Sequence, residues 1–181
     1  MDTQALLDAA LEDAQAARYA DAKTKLQTLL GQSLGDRDAA TIQGILGAVY
    51  AATGDHTAAA KELMQAAARN PEDASIASNL CNCLTEIGET EKAVAAGCNA
   101  CRLAPDFAEA HNNLGNALKA AGDTAGAAAS YRRALQINPG YGSAYNNLGA
   151  ALYAAGDLDG AAAAYVQGLE TNPGDARSHR N

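Results

Sequence analysis

The chain has 181 residues, a formal net charge of −8 and a hydrophobic fraction of 48%. This acidic balance argues against nucleic acid as a partner, because contacts to phosphates need clustered Lys and Arg. The opening residues lack the basic segment and apolar core of a signal peptide, and no stretch approaches the roughly 18 apolar residues of a membrane span. Four cysteines without an export signal then favour a reducing cytoplasm, with no membrane association.

A period of 34 residues organises the sequence. Aligning the chain on its prolines also aligns glycines, alanines and leucines, which indicates one supersecondary unit repeated along the chain. Each period contains two apolar-patterned stretches of about fourteen residues, as expected for two helices. The aligned positions are Pro71, Pro105, Pro139 and Pro173, then Gly54, Gly88, Gly122 and Gly156, and then Leu46, Leu80, Leu114 and Leu148.

In chain order, the predicted units form a single array over residues 1–181. The first unit fits the pattern loosely, lacks the closing proline and is followed by about three extra loop residues. The third departs most, because Cys81 replaces a glycine and Gly97 replaces a large residue. The last six residues align with the start of the fourth unit, so we expect either an excised fragment of a longer protein or a short cap. The boundaries are 3–37, 40–73, 74–107, 108–141 and 142–175, with 176–181 as the start of a sixth unit or a C-terminal stub.

The fourth unit shows the predicted elements most clearly. A first helix over 108–121 is followed by Gly122, which suits the left-handed position that ends a helix. Asp123 or Thr124 can cap a second helix over 125–137, and Pro139 then prevents its continuation. Neither helix can bury its apolar face alone, so successive units must stack into an all-α solenoid of antiparallel helix pairs.

The same residues resemble the tetratricopeptide repeat. The pattern has Leu-Gly early in the first helix, then Ala, Tyr, Ala and Pro at fixed positions. The resemblance covers nearly the whole chain and implies a right-handed solenoid of about five repeats. Such arrays build binding surfaces more often than active sites, so we expect a non-catalytic protein-interaction module without a cofactor. In the fourth unit the pattern is carried by Leu114, Gly115, Ala127, Tyr131, Ala134 and Pro139.

Asparagines recur on the face of the first helices opposite the Leu and Ala positions. Because a carboxamide both donates and accepts hydrogen bonds, a row of them can bind an extended peptide backbone. The alternative is that these asparagines only satisfy neighbouring groups, or reflect shared ancestry of the repeats. The predicted peptide-binding groove consists of Asn79, Asn82, Asn112, Asn113, Asn116, Lys119, Tyr141, Asn146, Asn147 and Tyr153.

The run Asn-Leu-Gly-Asn at 113–116 also resembles the superhelical repeat region of O-linked N-acetylglucosamine transferases and their bacterial relatives. That resemblance covers 79–181 and fades toward the N-terminus, where Ile45 interrupts the row. It implies a second function, in which the array presents substrates to a catalytic domain of a larger enzyme. A carboxylate clamp for chaperone C-termini is not expected, since this face lacks the necessary Lys and Arg.

Four cysteines lie in the third unit as CxC and CxxC, and suggest three interpretations. Helical spacing directs Cys81 and Cys83 to different sides, so core packing is favoured over a metal site or a redox pair such as Cys98 with Cys101. Gly97 predicts a packing gap that makes the third unit the least stable, with Cys98 and Cys101 as candidates to close it. We also expect self-association through an apolar C-terminal edge to which Leu152, Tyr165 and Leu169 contribute.

Overall fold

A computed structural model describes residues 3–171 of the chain. Within this range the chain forms ten α-helices and no strand, which confirms the prediction of an all-α array of helix pairs. Consecutive helices pack as antiparallel pairs. The pairs follow the order of the predicted units, but the first helix of the second pair begins at Asp36, four residues before the predicted boundary at 40. The helices are α1 (Thr3–Gln15), α2 (Tyr19–Leu30), α3 (Asp36–Ala52), α4 (His56–Arg69), α5 (Ala74–Glu86), α6 (Thr90–Leu103), α7 (Ala108–Ala120), α8 (Thr124–Ile137), α9 (Gly142–Ala154) and α10 (Leu158–Thr171).

The turn within each of the last four pairs follows the predicted pattern. A glycine with φ between 78° and 83° reverses the chain after the first helix. An aspartate then caps some of the second helices: the Asp123 carboxylate accepts a hydrogen bond from the Gly126 amide at 2.8 Å, and Asp55 accepts one from the Ala58 amide at 3.0 Å. The predicted helix end at Gly122 is thereby confirmed, with Asp123 rather than Thr124 as the cap.

The first pair makes the same turn without glycine. Ala17 adopts a φ of 57°, a conformation that disfavours residues with a Cβ atom. Beside it, the nearly buried Asp13 accepts hydrogen bonds from Lys25 and from Arg18, the latter at 2.7 Å. The bonds from Lys25 and then Arg18 lower the pKa of Asp13 below 3.8. This charged cluster ties α1 to α2 and stabilises a turn that elsewhere depends on glycine.

A glycine on the first helix faces a large side chain on the second helix in three of the pairs. A Cβ atom on Gly47 would lie 2.6 Å from Leu63 Cγ, and one on Gly115 would lie 2.5 Å from Tyr131 Cε1. Gly149 has the same relation to the ring of Tyr165, at 2.7 Å. Since real Cβ atoms do not approach so closely, these glycines allow the paired helices to pack side by side.

In the third pair, α5 and α6, the small and large residues are exchanged. Cys81 occupies the glycine position, and Gly97 occupies the position of the large side chain. A Cβ atom on Gly97 would lie 2.9 Å from Cys81 Sγ and 3.1 Å from both Cα and Cδ1 of Leu114 on α7. The expected gap is therefore closed by Cys81 and Leu114. A contribution from Cys98 and Cys101 stays a prediction.

The first helices of neighbouring pairs also contact one another, from α3 through α5 and α7 to α9. Contact between α5 and α7 is the most extensive of these, because Gly97 lets α7 approach. Second helices contact mainly their own partner and the next first helix, so the first helices form one wall of the stack. No helix within residues 3–171 combines the length and apolar character required to cross a bilayer.

Candidate functional site

The predicted groove residues lie on α5, α7 and α9, but their exposure differs. Asn112 and Asn113 retain only 5% and 6% of their accessible surface, although helical periodicity predicts that both face open solvent. Asn79 and Asn82 are half-buried on α5. Asn116, Asn146 and Asn147 are half-buried as well. The close approach of the first helices covers part of the face that the periodicity predicts to be open.

Two of the asparagines bond to the preceding pair. Asn113 Nδ2 donates to Ser78 Oγ at 3.0 Å, and Asn147 Nδ2 donates to Asn112 Oδ1 at 3.0 Å. Donor and acceptor are 35 residues apart in both bonds, so we call these contacts the inter-repeat rungs. The residue that would serve Asn79 in this way is Gly44, which offers no side-chain oxygen.

Asn116 has a partner within its own pair. Its Oδ1 accepts a hydrogen bond from Tyr131 Oη at 2.8 Å, and the Tyr131 side chain is fully buried. Burial raises the pKa of this phenol, so it donates at any physiological pH. Asn82 holds the equivalent position on α5, where Gly97 provides no hydroxyl group. In the described part of the chain, neither Asn79 nor Asn82 therefore makes a side-chain hydrogen bond.

The other predicted groove residues surround these amides. Lys119 is exposed near the end of α7, and Tyr153 on α9 keeps 67% of its accessible surface. Tyr141 is half-buried just before α9, where burial raises the pKa of its phenol and a hydrogen bond with Ser143 opposes that shift. Asn146 packs against α10, since a Cβ atom on Gly168 would lie 2.9 Å from its Oδ1. A cation and two aromatic rings thus accompany the amides.

The cysteines of the CxC motif behave as buried thiols. Cys81 and Cys83 are 0% and 1% exposed, and burial raises their pKa values to about 12 and about 11. Such thiols stay protonated at neutral pH and are poor metal ligands or nucleophiles. Among residues 3–171, no group of three or more His, Cys, Asp and Glu side chains is arranged to hold a metal ion.

The CxxC cysteines differ from each other. Cys98 is exposed. Cys101 Sγ lies 3.4 Å from His111 Nδ1, and the other ring nitrogen of His111 lies 3.1 Å from the Pro105 carbonyl oxygen. Burial, followed by the charge of Cys98, raises the pKa of Cys101 to about 11. The contact links α6 to α7, and the suggestion of a redox pair stays a prediction.

The C-terminal edge presents apolar side chains, and two of the three predicted ones are partly exposed there. Leu152 is buried, and Tyr165 and Leu169 are half-buried. The exposed apolar residues on α10 are instead Leu158 and Val166, at 62% and 52%. Predictions that concern 172–181, including the period at Pro173 and the asparagine at 181, lie outside the described residues.

Ser78, which accepts the bond from Asn113, is a residue that the sequence patterns did not single out. A signal for it exists in the alignment of repeats: Ser78 occupies the same position as Asn112, and each accepts from the asparagine 35 residues later. Serine interrupts the row of asparagines and so does not show in a pattern of recurring amides. Its hydroxyl oxygen nevertheless performs the same role as the amide oxygen.

Comparison with known sequences identifies the repeat. Models described as tetratricopeptide repeat match residues 7–75 and 118–180, and a model described as TPR repeat matches residues 82–122. These matches together span most of the chain. No curated protein sequence gives a significant match.

Solved structures show the same architecture. PilF of Pseudomonas aeruginosa is 21% identical, with 97% of this chain and 79% of that chain covered and a TM-score of 0.82. TTC0263, a thermophilic TPR protein of Thermus thermophilus, is 21% identical over 98% and 95% of the two chains, with a TM-score of 0.77. MamA from Desulfovibrio magneticus RS-1 is 15% identical over 96% and 97%, with a TM-score of 0.81. At these identities, the likeness concerns the fold.

Proposed function

Because the chain belongs to the tetratricopeptide repeat family, we propose that it is a non-catalytic module that binds an extended segment of a partner protein. The binding surface is the wall formed by the first helices α5, α7 and α9. Repeat arrays present continuous surfaces of this kind, in which each unit contributes a few side chains. The partner's backbone, rather than its side chains, supplies most of the contacts.

One observation carries this proposal: Asn79 and Asn82 are three residues apart on α5, and their carboxamides hydrogen-bond to no other side chain or backbone group in the described range. Residues at this spacing lie side by side on a helix. Each carboxamide offers two donor hydrogens and one acceptor oxygen, which match the C=O and N–H groups of an extended chain. Neither carboxamide is among the buried groups that lack a partner, so both remain open to solvent, and a bound peptide can replace the water that they bind.

The inter-repeat rungs reduce the number of predicted groove residues whose amide groups are fully available to a partner. The amide groups of Asn113 and Asn147 are engaged with the preceding pair, and Asn116 accepts from Tyr131. These asparagines retain some free donors and acceptors, so they contribute secondary contacts. We therefore place the main contact at α5, with Lys119 and Tyr153 further along the surface.

The experiment compares peptide binding by the wild type and by the double variant Asn79→Ala, Asn82→Ala. Peptides of about ten residues are selected from a degenerate library on the wild type, and their affinities are then measured by calorimetry. Loss of two hydrogen bonds at about 0.5–1.5 kcal/mol each predicts at least roughly fivefold weaker binding. Stability should be unchanged or slightly higher, because alanine favours helix.

Asn99→Ala on α6 serves as the matched control, because it removes an asparagine from a second helix. Replacing peptide side chains one at a time should have smaller effects than methylating the backbone amides that contact α5. Equal affinity of the wild type and the double variant for every selected peptide would exclude Asn79 and Asn82 as the binding site.

A substrate-presenting role within a larger enzyme is the alternative, and the asparagine run is the feature that favours it. The matched families and structures do not address the resemblance to O-linked N-acetylglucosamine transferases, which stays a prediction. Sequencing the complete reading frame tests it directly, since a glycosyltransferase domain would have to follow the array. Both alternatives use the same peptide-binding wall.

Exposure of Leu158 and Val166 favours self-association as a second property. Apolar side chains of this size on one helix gain free energy when a second copy covers them. Light scattering over a range of concentrations would detect such association. Replacing both residues by glutamate should restore the monomer mass, and a monomer at all concentrations in the wild type would contradict the proposal.

A further inference from the structure

A polar pocket of about 300 Å³ lies between the second pair and the loop that precedes it, away from the peptide-binding wall. It is lined by side chains of α3 and α4 and by Gln32 and Leu34 of the loop over 31–35. This loop is one residue longer than the loops that precede α5, α7 and α9, and the rest of the predicted extra loop, 36–38, forms the start of α3. Because a water molecule takes about 30 Å³ of liquid, the pocket has room for much more than one.

The centre of the pocket is Gln43, which is only 3% exposed. Its Nε2 donates to Gln65 Oε1 at 2.7 Å and approaches Glu62 Oε2 at 3.5 Å. Its own Oε1 is buried and has no hydrogen-bond partner among residues 3–171. A buried acceptor in this condition costs free energy until a donor reaches it.

Three acceptor groups belong to side chains that line the pocket. They are the unpartnered oxygen of Gln43, the second lone pair of Gln65 Oε1 and the carboxylate of Glu62. Among the described residues that line the pocket, the only cation is Arg69, whose guanidinium lies 3.7 Å from the carboxylate of Asp36. The charges of Glu62 and Arg69 cancel among the lining residues, but Arg69 is paired with Asp36, and Glu62 has no ion-pair partner among the described residues.

Aligned repeats show that these polar residues are particular to the second pair. Gln43 stands where the other units have Ala77, His111 and Tyr145. Glu62 stands where they have Ala96, Ser130 and Ala164, positions that are buried or half-buried. A carboxylate and a carboxamide have thus replaced packing residues at two positions that face each other.

We propose that this pocket binds a primary ammonium group, such as the one on a lysine side chain of a partner protein. An ammonium is compact and presents three donors, which match the three acceptor groups. Its positive charge would pair with the carboxylate of Glu62, and the apolar stem of a lysine would lie against Leu34. A ligand without a hydrogen-bond donor would leave Gln43 Oε1 unsatisfied.

Titration of the protein with N-acetyl-lysine N-methylamide tests the proposal by NMR. The side-chain amide resonances of Gln43 and Gln65 should shift, whereas the norleucine analogue, which lacks the ammonium, should leave them in place. If ethylamine binds as tightly as the lysine derivative, the ligand is a free amine. If the lysine derivative binds more tightly, the ligand is a lysine side chain of a partner protein. Equal shifts with norleucine, or no shift with lysine, would overturn the proposal.

Glu62→Gln removes the charge but keeps the shape, so it should fold and bind lysine at least about tenfold more weakly. Glu86→Gln, which removes an exposed carboxylate from α5, is the matched control and should bind as the wild type does. Gln43→Met retains the side-chain length and should abolish binding. If Gln43→Met fails to fold, the affinity of Glu62→Gln for the lysine derivative is the deciding measurement. An affinity equal to that of the wild type would refute the site.

Discussion

In the fourth pair the ring of Tyr131 lies over Gly115, whereas in the third pair Cys81 lies beside Gly97. In the fourth pair the glycine lies on the first helix and the larger residue on the second helix. In the third pair the glycine lies on the second helix and the larger residue, Cys81, on the first. In the third pair the remaining space is taken by Leu114 of the next first helix. The third pair therefore depends on its neighbour for packing that the fourth pair supplies within itself.

The exchange also changes the polar surface. A tyrosine hydroxyl satisfies Asn116 in the fourth pair, and the corresponding Asn82 has no such partner because its pair carries Gly97. Because the third pair has glycine in place of an aromatic ring, α7 lies closer to α5, and the amide of Asn82 on α5 has no hydroxyl partner. The presence of glycine rather than tyrosine at position 97 therefore affects both the packing of α5 against α7 and the availability of Asn82.

The largest effect is expected when Tyr131 is replaced by glycine, which imposes the third-pair residue on the fourth pair. Losing a buried ring costs about 3–5 kcal/mol, and glycine within a helix adds roughly 1 kcal/mol. Denaturant unfolding measures the loss. Adding Gly115→Cys should recover part of it, and no recovery would show that Cys81 and Gly97 do not compensate each other.

A smaller effect is expected when each glycine is replaced by alanine. Gly115→Ala forces a Cβ atom to within 2.5 Å of a fully buried ring and should cost about 1–3 kcal/mol. Gly97→Ala should cost less because its closest contacts are longer, at 2.9 Å to Cys81 Sγ and 3.1 Å to Leu114 Cα and Cδ1. Cys81→Ala should reduce the cost of Gly97→Ala in a double-mutant cycle. Gly140→Ala, which meets only Asn138 at 3.4 Å, is the control and should be nearly neutral.

The smallest effect is a difference in response to alkaline pH. Burial raises the pKa of Cys81 from 9.0 to about 12, so its contribution to stability is complete below pH 9 and declines as the pH rises toward 12. Tyr131 begins to contribute a similar decline only above pH 10. Between pH 9 and 10, the unfolding free energy of Cys81→Ala should fall less than that of the wild type. Parallel curves would show that Cys81 ionises as readily in the folded chain.

The fold was predictable because its determinants are local and repeated. A proline, a glycine with positive φ and an apolar stripe recur from the second unit onward, and each has one structural consequence. Asp123 and Gly122 show this directly, since the sequence alone places both at the turn that the structure contains. Stacking then follows from helices that have only one apolar face.

The state of the candidate site was less predictable, because it depends on the distance between units. Helical periodicity puts Asn112 and Asn113 on the face of α7 opposite its apolar residues, and the neighbouring first helices α5 and α9 contact that helix and bury them. Gln43 and Glu62 are not evident from the sequence for another reason. Each is ordinary in its own helix, and their meeting in one pocket depends on how α3 packs against α4.

The inter-repeat rungs have a thermodynamic consequence for the array as a whole. Opening one pair leaves a buried amide of its neighbour without a partner, so the rungs couple the unfolding of the third, fourth and fifth pairs. Gly44 offers no oxygen to Asn79, and the second pair is joined to the third through apolar contacts without a rung. We expect hydrogen exchange to resolve two cooperative blocks, with α1–α4 in one and α5–α10 in the other. The boundary between them falls at the start of α5, directly beside the available asparagines.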